Sequence, residues 1–384
     1  MQKEVYKKHN SFFSFNGKSE RNLKATLERI SLVYSKKQGI SKLSKKQIEL
    51  LKKIIRELFE KDNIGKKNIF HLSDNVLDEI SNQDDSDLLK YLLHRYRYEV
   101  FPQKKILDEF PPCLQIEPSS ICNFRCVFCF ETDKTFTDKK NGHMGRMKLD
   151  LFKNIIDQAE GNIEFVTLAS RGEPLACKEI ENMLDYTRGK FLNLKINTNA
   201  SMLDEKKSHA ILSGGVKTIV FSADAADEKL YSKLRVNGNL NQVLKNVEQF
   251  QKIREKHYSK TQIISRVSGV KFSNDQSFND LKNFWSGLVD QVAFVDYNPW
   301  ENSYEKSPNN ISAPCSDLWR RMFVWWDGKT NPCDVDYKST LSVGKFPNLN
   351  LDQLWQSEGY NDLRNKHLKK RRSSIKPCSS CALI

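Results

Sequence analysis

Along the chain the spacing of apolar positions changes character twice. In the N-terminal third, Ser44-Lys-Lys-Gln47 has the form of a capping box, and Ile48, Leu51, Ile54, Ile55 and Leu58 follow at helical spacing. Ser86-Asp-Leu-Leu opens a second such pattern that fades near Pro102, and Met1 to Asn16 reads as loose chain. From Cys113 onward, short apolar runs alternate with amphipathic stretches, the pattern of repeated β/α units and a parallel sheet. Strands are predicted at Leu114–Glu117, Ile163–Ala169, Leu192–Asn197, Thr218–Ala223, Gln262–Val267 and Val292–Tyr297, with helices at Leu149–Ala159, Leu203–Leu212, Leu240–His257 and Phe278–Leu288. Six such units make a partial (β/α)6 barrel of α/β class rather than the full eight-stranded closure. Past Pro299 the pattern predicts a hairpin over Arg321–Val335 turning at Asp327-Gly328, a helix from Leu351 to about Leu368, and a cysteine-rich tail. The expected organisation is therefore a helical region over 1–110, a barrel over 111–300 and a small hairpin-plus-helix unit over 301–384.

The chain has 384 residues, 39% of them hydrophobic, with only 16 Gly and 11 Pro, which suits a folded globular protein. No run approaches the roughly 20 apolar residues of a membrane span, and Met1-Gln-Lys-Glu lacks the apolar core of a secretory signal. A cytoplasmic location without membrane contact is expected. The net charge of +14 raises the question of nucleic acid, but Lys and Arg are scattered, bunch only at Lys369-Lys-Arg-Arg372, and have no interleaved aromatic platform. The charge reads as a solvated surface that could attract an anionic small molecule.

Nine cysteines in a chain of this kind point to metal binding rather than disulfides, and seven fall into two groups. The first, Cys122-x-x-x-Cys126-x-x-Cys129, follows the first predicted strand, on the side of a barrel where chemistry is carried. Three thiolates from one loop can hold three irons of a cubane cluster and leave the fourth open; a structural zinc site is the alternative, although zinc normally takes four ligands.

This loop resembles that of the radical S-adenosylmethionine (SAM) superfamily, in which the open iron takes the amino and carboxylate groups of SAM. The resemblance implies that Phe128 covers the adenine. It also implies that Ser170-Arg171-Gly172-Glu173-Pro174 is the counterpart of the family's Gly-Gly-Glu segment, whose carbonyls receive the SAM ammonium, with Arg171 in place of the first glycine. By the same resemblance Asn199, Ser222 and Arg235 are SAM-binding candidates. Read without it, Ser222 caps a helix and Arg235 is a solvated charge.

In the second group, Gly328 on the predicted hairpin turn lets the chain fold back so that Cys315 meets Cys333, and Cys378-x-x-Cys381 closes the site from the tail. The arrangement resembles the SPASM/twitch extension of radical SAM enzymes in its single-cluster form, implying one auxiliary [4Fe-4S] cluster; a zinc ribbon could use the same four residues. Cys113 and Cys177 stand outside both groups and read as small buried hydrophobes, with a hydrogen-atom donor as the functional alternative for Cys177.

The family implies an external one-electron donor such as flavodoxin or ferredoxin, reductive cleavage of SAM to a 5'-deoxyadenosyl radical, and hydrogen-atom abstraction from substrate. A fully thiolate-ligated auxiliary cluster then accepts an electron, giving net oxidation. The single-cluster arrangement is similar to that of an aminocyclitol dehydrogenase, so the expected substrate is a sugar, a cyclitol or a related hydroxylated compound. Asp296 and Tyr297, at the end of the sixth predicted strand, and Arg266, near the end of the fifth, are candidates to handle the hydroxyl proton. Packing and loop-capping roles for Asp296 and Tyr297 compete with that assignment. Three other functions compete: peptide maturation, although residues 1–110 read as helical rather than as a winged-helix domain with a three-stranded sheet; epimerisation, which needs a thiol such as Cys177; and a zinc-dependent nucleic-acid-binding module.

Overall fold

The computed structural model describes residues 11–15, 19–59, 70–298 and 300–384. Its elements, in chain order, are β1 (Phe12–Ser14), α1 (Ser19–Ser35), α2 (Lys45–Phe59), α3 (Asp74–Ser81), α4 (Asp85–Lys104), β2 (Cys113–Ile116), β3 (Arg125–Cys126), α5 (Lys134–Thr137), α6 (Leu149–Ala159), β4 (Phe165–Leu168), α7 (Ile180–Tyr186), β5 (Asn193–Thr198), α8 (Glu205–Ser213), β6 (Val216–Ser222), α9 (Glu228–Leu234), β7 (Arg235–Val236), α10 (Leu240–His257), β8 (Ile264–Lys271), α11 (Phe278–Trp285), β9 (Gln291–Asp296), β10 (Arg321–Val324), β11 (Lys329–Asn331), β12 (Gly344–Lys345), α12 (Leu351–Trp355) and α13 (Glu358–Leu368).

One curved sheet organises the molecule, in the order β1-β9-β8-β6-β5-β4-β2-β10-β11-β12. The six strands from β2 to β9 in this sheet are parallel, as the β/α pattern predicts. The sheet extends beyond them on both sides: β10 adds parallel to β2, pairing Arg321 with Cys113, and β1 adds antiparallel to β9, pairing Phe12 with Ala293. With β1 and β12 at its edges, the barrel is partial.

Strand and helix periodicities meet at the outer layer. In α10, Asn239 accepts from the Gln242 amide at the N-cap, and Leu240, Val243, Val247, Phe250 and Ile253 make a buried stripe. Phe250 packs edge-on to Phe221 of β6 at 5.7 Å. Since side chains alternate along a strand, Thr218, Val220 and Ser222 turn to the inner face while Ile219 and Phe221 join this core.

Helices α1–α4 form a second core around Ile30, Leu51, Ile54, Val76, Ile80 and Leu92. That core reaches the amino ends of the barrel strands: Tyr91 and Tyr98 pack on Phe165 at 5.8 and 5.9 Å. Asn193 donates to Glu79 (3.1 Å), and Gln83 donates to the Leu192 carbonyl (3.3 Å). The helical region thus floors the barrel. The Ser44/Gln47 capping box is present, with the Ser44 amide donating to Gln47 (2.8 Å) and the Gln47 amide to Ser44 (3.3 Å).

Four sequence expectations need correcting. Phe12–Ser14 forms an edge strand instead of loose chain, while Met1–Asn10 and Asn16 lie outside the described residues. Helix α4 runs through Pro102 to Lys104. Proline there removes the hydrogen bond to the Tyr98 carbonyl, and Arg320 Nε donates to that oxygen instead (3.2 Å). The predicted helix over 351–368 is two helices, because Ser357 caps α13 anew. Strand β8 extends to Lys271, so Arg266 lies near its start, deep in the barrel, and not at the carboxyl end. No helix among the described residues is long and apolar enough to cross a membrane.

Candidate active site

The loop after β2 carries Cys122, Cys126 and Cys129. It is held by β3 pairing antiparallel to β7, which sets Cys126 opposite Arg235. Three donors approach the sulfurs: the Phe124 amide (3.4 Å) and Asn199 Nδ2 (3.8 Å) reach Cys122 Sγ, and Arg235 Nη1 reaches Cys126 Sγ (3.7 Å). Burial pushes the Cys122 thiol up to about 12 and raises Cys126 and Cys129 as well. A positively charged iron centre reverses that preference and takes the sulfurs as thiolates. Three sulfurs on one loop, two of them met by hydrogen-bond donors, therefore fit a cluster with one open iron.

Arg235 is not a solvated charge. It is 6% exposed, ion-paired with buried Asp224, and lies over the Phe128 ring at 5.8 Å. Phe128 is itself buried, and Phe272 packs tilted against it at 5.7 Å. Ser222 is half-buried at the carboxyl end of β6.

The Gly-Glu-Pro turn faces the cysteine loop. A Cβ on Gly172 would fall 2.4–2.6 Å from backbone atoms of Ser119, Ser120 and Ile121, so only glycine permits this approach. The Glu173 amide donates to the Ile121 carbonyl (3.0 Å). Its buried carboxylate accepts from Thr198 Oγ1 (2.6 Å), the Asn199 amide (2.7 Å) and the Leu175 amide (3.0 Å). Glu173 thus ties the ends of β4 and β5 together, and Pro174 opens a buried 3-10 turn behind it. Arg171 forms a two-pronged ion pair with Glu117, through Nε (2.7 Å) and Nη2 (2.6 Å), donates to the Tyr337 carbonyl (2.8 Å), and stacks over Trp325 at 4.2 Å. Glu117 was missed from the sequence as a functional partner; a Glu closing the first strand beside an Arg closing the second was the available signal. Glu131, also missed, lies buried beside the loop, 3.4 Å from Arg125, and burial pushes it up to about 8.

The second cysteine group converges. Cys315, Cys333, Cys378 and Cys381 line one largely enclosed cavity with Leu318, His367 and Arg372. Arg372, expected on a solvated basic surface, is 1% exposed. It donates to the carbonyls of Cys378 (3.0 Å), Cys381 (2.6 Å), Leu383 (2.5 Å) and Ala313 (3.3 Å), drawing the tail onto the segment before Cys315. Among the described residues no three His, Cys, Asp or Glu side chains are arranged around a single metal-ion position. Four half-buried thiols around a cavity are a donor set that suits an iron–sulfur cluster.

The remaining candidates are dispersed. Tyr297 donates to Glu301 (2.5 Å) and packs edge-on to Phe272 at 4.9 Å; burial and Glu301 raise its phenol well above the usual value. Asp296 ends β9 opposite Lys271, and its side chain lies outside the described set. Cys177 is 2% exposed in the outer core, its sulfur 3.8 Å from the Met147 carbonyl.

A partial α/β barrel with a three-thiol loop after its first strand and a four-thiol pocket beyond its last helix defines the class. The family comparisons agree: the chain carries a radical SAM superfamily domain over residues 116–284 and a SPASM iron–sulfur cluster-binding domain over 315–382. It is thus a radical SAM enzyme with a SAM-binding [4Fe-4S] cluster and an auxiliary cluster, which sets aside the zinc-module alternative. A GTP 3',8-cyclase of Clostridium botulinum (strain Okra / Type B1) is 25% identical over 243 residues, 61% of this chain and 69% of that one. SuiB of Streptococcus suis, solved bound to precursor peptide SuiA, shares the fold at TM-score 0.51 and 18% identity, covering 87% of this chain and 82% of SuiB. So does the AdoMet-bound anSMEcpe, at TM-score 0.51 and 14% identity, covering 70% of this chain and 85% of its own.

Proposed function

We propose that the protein oxidises a hydroxylated small molecule, of sugar or cyclitol type, to the carbonyl compound. The observation that carries this reading is the cavity lined by Cys315, Cys333, Cys378 and Cys381: four thiols leave a bound cluster no vacancy for substrate, which suits electron acceptance. When bound, the clusters supply the one-electron reduction that releases the 5'-deoxyadenosyl radical and the one-electron acceptance that completes the oxidation.

In this reading Cys122, Cys126 and Cys129 hold the first cluster, and Asn199 and Arg235 stabilise the thiolate charge through the contacts to Cys122 and Cys126. Phe128 covers the adenine. Gly172 and Pro174 shape the turn whose carbonyls receive the SAM ammonium, and Glu173 holds that turn against β5. Ser222 takes a polar group of SAM from the end of β6. Tyr297 is the group that moves the hydroxyl proton: its oxygen accepts from substrate while its own proton passes to Glu301 Oε1. Asp296, the adjoining residue, serves the same step. Arg266 lies too deep along β8 for that step and has a different use.

Epimerisation draws no support from Cys177, whose thiol is 2% exposed and packed in the core against the Met147 carbonyl. Peptide maturation draws none from the N-terminal region, which among the described residues is helical apart from β1.

The test is anaerobic turnover of the reconstituted enzyme with reductant, SAM and a panel of polyols, following 5'-deoxyadenosine and substrate mass. Loss of two hydrogen atoms from substrate, matched to 5'-deoxyadenosine, is expected. An unchanged mass with deuterium taken from solvent, or turnover only with a peptide, would overturn the proposal.

A further inference from the structure

The inner face of the barrel gathers three cations, two of which, Lys195 and Arg266, sit where burial disfavours their charge, while Tyr98 and Asp317 support that of Arg321. Lys195 lies on β5, Arg266 on β8 and Arg321 on β10, and their strand neighbours Leu194, Ile196, Val267 and Met322 all belong to the outer core. Alternation therefore sends the three side chains inward. None forms an ion pair among the described residues. Arg266 donates to Gln291 (2.7 Å) and lies over the Phe12 ring, leaving a buried Nη2 without a partner. Arg321 donates to Tyr98 (2.6 Å), leaving a buried Nε without one.

Most of the nearby carboxylates are otherwise engaged, although the charge of Arg321 also acts on Asp317 and Asp334. Glu79 accepts from Tyr91 (2.6 Å) and Asn193, Asp78 accepts from Gln291, and Asp317 pairs with Arg320 (2.7 Å). Buried donors left unsatisfied are costly, and like charges gathered in a low dielectric repel. Burial, then Arg266 and Arg321, lower the Lys195 ammonium to about 7; Glu79 from α3 and Cys113 from β2 oppose this only in part. A protein maintains such an arrangement at a cost to its own stability, and an oxyanion would relieve it through charge-assisted hydrogen bonds.

We propose that Lys195, Arg266 and Arg321 form an oxyanion-binding floor in the barrel, which anchors a phosphate or carboxylate group of the substrate below the reacting carbon. This rests on the reading that the inner face is the substrate chamber, and it adds a class to that substrate: an acidic polyol, as a phosphate ester or a carboxylic acid. The deep position of Arg266 on β8 becomes functional in this light, anchoring instead of proton transfer.

The experiment is calorimetric titration of the cluster-reconstituted full chain, with SAM present, using inorganic phosphate in one arm and acetate in the other. No turnover is needed, so the result is independent of whether polyol oxidation is found. One saturable site is expected, preferring the anion that the substrate carries. Lys195→Met and Arg266→Gln should each weaken binding by about tenfold or more, and the surface control Lys260→Met should leave it unchanged. Because bound anion draws Lys195 back to its charged form, binding near pH 8 should take up a proton, seen as a dependence of the measured heat on buffer ionisation enthalpy. Lys195→Met should lose that uptake. If Lys195→Met fails to retain clusters, Lys195→Arg, which keeps the charge, should bind with little proton uptake. Absence of binding by either anion, or binding indifferent to these substitutions in proteins that retain their iron and fold, would overturn the proposal.

Discussion

Glu117 and Arg171 meet in a buried two-pronged ion pair, 2% exposed or less, that joins the ends of the first two parallel strands of the barrel. Glu117 also accepts from the Trp326 amide at 3.2 Å, and Arg171 donates to the Tyr337 carbonyl, so the pair clasps the C-terminal hairpin to the SAM-side loop. Removing one partner leaves the other charged and buried, which costs about 3–5 kcal/mol. Arg171→Gly, which would restore the family's usual residue, should therefore lower the unfolding midpoint sharply. The double variant Arg171→Gly with Glu117→Gln should recover part of the loss, as a thermodynamic cycle on denaturation will show.

The two cysteine groups should separate by function. Cys122→Ala should abolish 5'-deoxyadenosine formation. Cys381→Ala should keep part of that activity while blocking substrate oxidation. Each should lose about half the bound iron, since each group holds one cluster of similar size. Iron counting and 5'-deoxyadenosine assay on the same preparation check both statements.

Gly172→Ala puts a methyl group 2.4–2.6 Å from backbone of the cysteine loop, and backbone cannot step aside as a side chain can. Overpacking of this kind costs about 1–3 kcal/mol. SAM affinity, measured by titration of the reconstituted protein, should fall about tenfold or more as the turn is pushed off the loop.

For Lys195 the sign of the pH effect follows from its lowered value of about 7 against the ordinary 10.5. Between these values the unfolded chain holds a proton that the native protein lacks, so native stability rises with pH across that window. Below about 7 the whole penalty of the buried charge applies. Lys195→Met should flatten the dependence of the unfolding midpoint between pH 7 and 10 and, without added anion, raise the midpoint at neutral pH relative to the parent.

Tyr297→Phe removes the hydroxyl that reaches Glu301 while keeping the ring on Phe272. Oxidation of substrate should slow by about 10²–10⁴-fold with SAM cleavage little affected. Equal loss of both would assign Tyr297 to packing.

Much of the barrel was legible in the chain, because alternation in segments such as Val216–Ser222 and the stripe of Leu240–Ile253 are local patterns with local causes. The spacing Cys122-x-x-x-Cys126-x-x-Cys129 likewise encodes a loop that can present three sulfurs, whatever surrounds it. Relations between distant segments have no such local signal. Arg171 read as a departure from a glycine until Glu117 and Trp325 closed around it, and Arg372 read as one more surface charge until four carbonyls converged on it. Lys195 is the sharpest instance: a lysine between Leu194 and Ile196 marks a strand with one polar face, but whether that face meets solvent or two arginines depends on how the sheet curves. Periodicity by itself determined most of the elements, and the cysteine spacing a loop that can present three sulfurs, since both act over a few residues; how the reaction begins came from the resemblance that spacing carries. Which charges are buried, what they face and where a substrate could be anchored were decided only by the tertiary structure, because burial and electrostatic pairing are properties of groups brought together across the whole chain.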